Sequence, residues 1–231
     1  MTNSTPSYTD NNDTNIVRIF LIRHGQTDHN VKKILQGHRD ISLNLTGIKQ
    51  AQQLGEYLKE EGITFEKVYS SDLKRCQETT QEILKLSNQE GLKVVLNSDL
   101  RERFMGPIEG MHISDAEKYA DKHGRGTFKD FGEDAVSFLG RLQRGVNSSV
   151  EDATLNGLKN VALVSHGGAI RGILGWLQQQ DGADASKIIV FNTSVTVIDY
   201  VIPDKKYHVK SVGNTRHLGE GNFMVSDLRL R

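Results

Sequence analysis

The run Ile16-Val17-Arg18-Ile19-Phe20-Leu21-Ile22 constrains this chain most. It is short, apolar and rich in β-branched residues, which predicts a strand buried on both faces. A polar loop follows to about Asn44, and then a helix with Asn44 or Thr46 as N-cap and an apolar stripe of Ile48, Ala51, Leu54 and Leu58. The alternation continues. Phe65–Tyr69 reads as a strand and Asp72–Leu86 as a helix with Leu73, Cys76, Ile83 and Leu84 on one face. Lys93–Leu96 is a short strand, and Glu133–Val150 is amphipathic through Val136, Leu139, Leu142 and Val146. Val161–Val164 reads as a strand, Gly168–Leu177 as a helix, Ile188–Phe191 and Val195–Val201 as adjacent strands, and Tyr207–Val212 as a further strand. Residues 101–132 have no sustained period and read as a long loop with short helical pieces. Strands alternating with helices predict an α/β fold, a mainly parallel central sheet flanked by helices in three layers. Residues 1–15 are rich in Ser, Thr, Asn and Asp and read as a flexible tail, with a single domain over 16–231.

A parallel sheet gathers its ligand site at the carboxyl ends of its strands. Three polar sets stand there: Arg23-His24-Gly25, Ser70-Ser71-Asp72-Leu73-Lys74-Arg75, and Val164-Ser165-His166-Gly167-Gly168. Each set alone has a bland reading, as a structural histidine, a capped helix start or a tight turn. Together they bring two imidazoles and two guanidiniums to helix starts, a combination suited to a tetrahedral dianion. Neither histidine has a third His, Cys or carboxylate at a metal-ligand spacing, so no metal and no cofactor is expected.

Charge and cysteine use narrow the classes further. The 29 basic and 29 acidic side chains cancel, which argues against nucleic-acid or membrane-surface partners. No apolar run is long enough to span a bilayer, and no signal sequence is evident at the start. The single cysteine, Cys76, sits on a helix stripe and reads as core. A chain without a disulfide framework fits a reducing compartment, the cytoplasm by default and the nucleus as an open second choice. Oligomeric state is not legible.

The motifs carry a resemblance. Phe20-Leu21-Ile22-Arg23-His24-Gly25-Gln26-Thr27, Asn30 and Gln36-Gly37-His38-Arg39-Asp40 resemble the opening signature of the histidine phosphatase superfamily, the phosphoglycerate-mutase-like fold. Ser70–Thr79, Leu100-Arg101-Glu102 with Met105-Gly106 and Glu109-Gly110, and Val164–Gly168 with Asn192-Thr193-Ser194 are similar to its later blocks, in order. The likeness is strongest to small fungal broad-specificity phosphatases. It implies that His24 attacks phosphorus and forms a phosphohistidine, and that Arg23, Arg75 and His166 hold the transferring oxygens. It implies that Glu102 protonates the leaving oxygen and then activates water, and that Asn30, Gln36, Gly37 and Gly167 help bind phosphate.

Mutases of this family add paired arginines after the acid block. Met111–Phe131 offers Lys118, Lys122, Arg125 and Lys129 but no adjacent pair, which favours a hydrolase of small phosphorylated substrates. A mutase and a non-catalytic phospho-ligand regulator stand as alternatives. Specificity is expected from residues 101–132 and from a C-terminal segment around His217 folding over the site.

Overall fold

The computed structural model describes residues 9–178 and 189–219. Six strands form one sheet: β1 Ile16–Arg23, β2 Lys67–Ser70, β3 Val94–Leu96, β4 Asn160–Ser165, β5 Val195–Val201 and β6 Lys206–Asn214. Their order is β3-β2-β4-β1-β5-β6. The first four in that order run parallel, while β5 is antiparallel to β1 and β6 antiparallel to β5. The helices are α1 Asp28–Val31, α2 Leu45–Glu60, α3 Lys74–Leu86, α4 Ile113–Lys122, α5 Ala135–Leu155 and α6 Gly167–Gln178.

Strand alternation builds the layers. In β1, Val17, Ile19 and Leu21 face α5 and α6, meeting Leu142, Val146, Ile170 and Leu174. Phe20 and Ile22 face α2 and α3, meeting Leu54, Leu58, Cys76 and Ile83. Both faces of β1 and β4 are thus covered, which is why they read as continuous apolar runs. Register then sets the site. Arg23 lies opposite Ser165, and Ser70 opposite Val164, so the three polar sets emerge at one edge of the sheet.

Several expectations need correction. The helical pieces of residues 101–132 include one longer than expected, the 10-residue α4, and Ile108, Ala116, Ala120 and Phe128 of this stretch form a small core with Leu35. The buried face of α4 is two alanines at i and i+4, too small to register as an apolar stripe. The segment 189–191 is not a strand, and Ile188 lies outside the described residues. Both edges of β5 are already taken by β1 and β6, so no ladder remains there. The stretch 9–15 is not free tail. Asn11 is buried, donates its N–H to Asn160 Oδ1 (2.7 Å) and accepts from Asn160 Nδ2 (2.8 Å). Asn44 caps α2 by accepting from Gly47 N. Helix α3 begins at Lys74 rather than Asp72, and its first N–H is met by Asp40 Oδ1 at 2.7 Å. Asp72 instead takes a bidentate pair from Arg101, both bonds 2.6 Å. In α5 the buried stripe runs Leu142, Val146, Val150 and Ala153, and Val136 is exposed.

Candidate active site

His24 follows β1 directly and is buried. Its Nδ1 lies 2.7 Å from the carbonyl of Gly25. A carbonyl only accepts, so Nδ1 carries the proton and Nε2 keeps its lone pair. Burial, then the charges of Arg75 and Arg23, hold the imidazole well below its usual pKa, so the ring stays neutral. The backbone here is pinned three ways. His24 N–H donates to Ser165 O (3.0 Å), Asn192 Nδ2 donates to His24 O (2.9 Å), and Gly25 N–H donates to Thr79 Oγ1 (2.9 Å).

His166 is fully buried beside it, with ring centroids 5.2 Å apart at 60°. Both of its nitrogens are engaged. Nδ1 accepts from Arg75 Nε (3.1 Å), which leaves Nε2 to donate to Ser71 Oγ (2.8 Å). Burial, then Arg75, keep this ring neutral as well. The structure therefore sets His166 behind the cleft wall, in contact with Arg75 and His24.

Arg75 is the largest fully buried residue among those described. Besides His166 it donates to Arg39 O and Gly37 O, each at 2.9 Å. Gly37 adopts φ +49, and a Cβ there would meet the carboxylate of Glu109 at 2.0 Å. Any other residue presenting its carbonyl to Arg75 at this point would need both that φ and a shift of the Glu109 carboxylate, and glycine avoids both costs. Arg23 is buried and donates Nη1 to Val190 O.

Asn30 lies at the end of the first turn after the loop. Its Oδ1 accepts from Thr27 N (3.0 Å) and from Thr27 Oγ1 (3.1 Å), which turns its amide nitrogen the other way. The Gln36 amide oxygen is buried without a hydrogen-bond partner among the described residues. Glu102 rests on the start of α6. One oxygen accepts from Gly168 N (2.8 Å) and the other from Arg103 N (2.9 Å). A Cβ on Gly168 would sit 2.3 Å from that carboxylate, so this close approach also requires glycine.

Arg23, His24, Asn30, Gln36, Gly37, Arg75, Glu102 and Gly167 line one cleft. Of the residues given a catalytic or phosphate-binding role from sequence, His166 alone is not on its wall. Among the described residues no group of three or more His, Cys, Asp or Glu is arranged to hold a metal ion, and no helix is long and apolar enough to cross a membrane. A family profile describing the histidine phosphatase superfamily (branch 1) matches residues 19–215. The chain belongs to the histidine phosphatase superfamily. It is 60% identical to a broad-specificity phosphatase of Saccharomyces cerevisiae, over 100% of both chains. It is 34% identical to a probable phosphatase of Schizosaccharomyces pombe, over 87% of this chain and 95% of that one. Among solved structures it is similar to a phosphoglycerate mutase from Bacillus anthracis, with TM-score 0.78, 30% identity, and 89% and 96% of the two chains covered.

Sequence reasoning gave no role at the site to two arginines of this histidine phosphatase. Arg171 lines the cleft. It stands four residues after Gly167, one helical turn along the same face of α6, and that spacing was the available signal. Arg141 on α5 reaches across to the acid-bearing segment. It donates to Asp99 O, Arg101 O and Glu102 O (3.0, 2.8 and 2.9 Å) while pairing with both oxygens of Glu133. His217 itself is not on the cleft wall: it is buried against Thr193 and near Tyr57 of α2, and the rest of the expected cover, 220–231, lies outside the described residues.

The buried neutral histidines predict a pH-dependent stability. Burial drives His217 down to about 4, and His24 and His166 are lowered by burial too. In the unfolded chain such rings take up protons near about pH 6.5. Below that pH the unfolded state binds more protons, so stability present above it is lost as pH falls toward the folded values. Each ring removes up to about 1.4 kcal/mol per pH unit in that window. Urea midpoints should fall clearly between pH 7.5 and pH 5.5, whereas a flat profile would show the rings are not held neutral.

Proposed function

We propose that this chain hydrolyses phosphate monoesters of small molecules by a two-step route through a phosphohistidine on His24. One observation carries the reading: the Gly25 carbonyl fixes the Nδ1–H tautomer of a buried, neutral imidazole, so a free lone pair on Nε2 stands in a cleft walled by Arg23, Arg75 and Arg171. In the first step that lone pair forms the N–P bond while the ester P–O bond breaks. The departing oxygen takes a proton from Glu102. In the second step water attacks phosphorus, gives its proton back to Glu102, and the N–P electrons return to Nε2 as phosphate leaves.

Arg23, Arg75 and the Asn30 amide nitrogen hold the transferring oxygens, with charge stabilisation strongest where they spread in the transition state. Gln36, Gly37 and Gly167 complete the phosphate seat, with the unpartnered Gln36 oxygen suited to a hydroxyl or a protonated phosphate oxygen. His166 acts from behind, aligning Arg75 through its Nδ1.

The ester's alcohol part has room beside this seat. A second cleft shares Glu102, Met105, Gly168 and Arg171 with the first, and adds Phe138 and Trp176 together with Arg103, Lys129 and Glu133. A lining of aromatic and charged side chains accepts many ester bodies, in keeping with the broad specificity named for the yeast relative. The full-length match to that phosphatase leaves the mutase and the non-catalytic regulator less favoured. A cytoplasmic place for the enzyme rests on its one buried cysteine.

Trapping tests the reading. Brief mixing with a ³²P-labelled monoester, then a quench, should leave label on the protein that survives alkali and is lost in acid, as a phosphoramidate does. His24→Ala should carry none, and EDTA should leave turnover unchanged. Label in the alanine variant, or inhibition by EDTA, would overturn the reading.

A further inference from the structure

Behind the nucleophile the chain turns at 192–194, and the turn is strained. Thr193 adopts φ +56, a region that β-branched residues strongly disfavour. Strain of this kind persists only where surrounding contacts over-determine it. Here the turn holds the segment that carries the chemistry. Thr193 N–H donates to Arg23 O (3.0 Å), and its neighbour Asn192 donates Nδ2 to His24 O (2.9 Å).

The Thr193 side chain is itself held from outside. Its hydroxyl donates to Asn192 O (2.8 Å), so its proton is committed. The 2.9 Å contact with His217 Nε2 must then be a bond donated by that ring nitrogen. That assignment makes Nδ1 of His217 an acceptor, and it is buried with no hydrogen-bond partner among the described residues. The ring does one polar thing, which is to hold Thr193. His217 sits on a single 3-10 turn, Arg216–Leu218, that packs on α2 and stays off the cleft wall.

We propose that His217 is a positioning residue: through Thr193 it keeps the strained turn that sets Arg23 and His24 against the bound phosphoryl group. The C-terminal 3-10 turn is thus a clasp on the nucleophile from the side opposite the substrate. The proposal rests on the reading of His24 as nucleophile.

The donating nitrogen separates this role from mere packing. In His217→Gln the amide nitrogen reaches the place of Nε2. In His217→Asn it stops near that of Nδ1. With para-nitrophenyl phosphate and the full chain, the Asn variant should lose about tenfold in kcat with KM little changed, and the Gln variant should stay within about twofold of wild type. In a Thr193→Gly background, where positive φ carries no strain, His217→Asn should cost less than about twofold. Equal kcat for Asn and Gln, a loss confined to KM, or the same loss in both backgrounds would overturn the proposal.

A second measurement does not depend on activity. Two-bond ¹H–¹⁵N spectra of the wild type should show His217 as the neutral Nε2–H tautomer at pH 6, with that signal shifted in Thr193→Val. A charged ring or the Nδ1–H tautomer would overturn the clasp whether or not the variants fold. If wild type and His24→Ala turn over alike, the nucleophile reading fails separately, and the spectra still decide the hydrogen bond.

Discussion

Replacing His24 with alanine is expected to lower kcat for any phosphate monoester by about 10⁵-fold, the scale seen when a nucleophile is removed from a covalent mechanism. The adjoining imidazole cannot replace it. Among the described residues His166 is the only other imidazole in ring contact with His24, and both of its nitrogens are occupied, one accepting from Arg75 and one donating to Ser71. The phosphate seat, by contrast, stays in place. Arg75 is fixed by Gly37 O, Arg39 O and His166, and Arg23 by Val190 O, none of which involves the His24 ring. The variant should therefore still bind inorganic phosphate, visible as a raised melting temperature at millimolar phosphate, while steady-state assays detect almost no product. A residual rate within about a hundredfold of wild type would remove His24 from the covalent role.

The strand-end location of this site follows from side-chain pattern alone. β-Branched apolar runs at 16–22 and 161–164, separated by amphipathic segments, leave a parallel arrangement as the only economical way to cover both faces. Once β1, β2 and β4 lie side by side, Arg23, Ser70 and Ser165 must share an edge. The parts that were not legible depend on contacts between distant segments. Helix α4 hides its buried face behind Ala116 and Ala120. Arg141 looks like any helix arginine until three carbonyls of residues 99–102 are folded around it. Asp72 looks like an N-cap, but Arg101 offers it a bidentate partner and Asp40 takes the capping task. His217 looks like part of a cover because nothing local says that its ring will be buried on the far side of Thr193.

Replacing Glu102 with glutamine should separate the two half-reactions. A positioned acid or base contributes about 10²–10⁴-fold, so kcat for an alkyl phosphate should fall by that amount. For para-nitrophenyl phosphate the outcome differs, because nitrophenolate is stable enough to leave without a proton. Its first step should be nearly spared, while attack by water on the phosphoenzyme still lacks a base. A burst of one nitrophenolate per active site, followed by slow turnover, is the expected trace. Glutamine nearly matches glutamate in size, and the backbone it sits on is held independently by Arg141 and by His38, which both contact Glu102 O. The loop should keep its place, and KM should move little. One local cost is certain: the two carboxylate oxygens accept from Gly168 N and Arg103 N, and an amide can accept only one of those bonds. That loss weighs equally on both esters, so it cannot produce a burst with one and not the other. Equal slowing of both substrates without a burst would mean that Glu102 serves only to anchor the start of α6, and the acid would have to be sought elsewhere on the cleft wall.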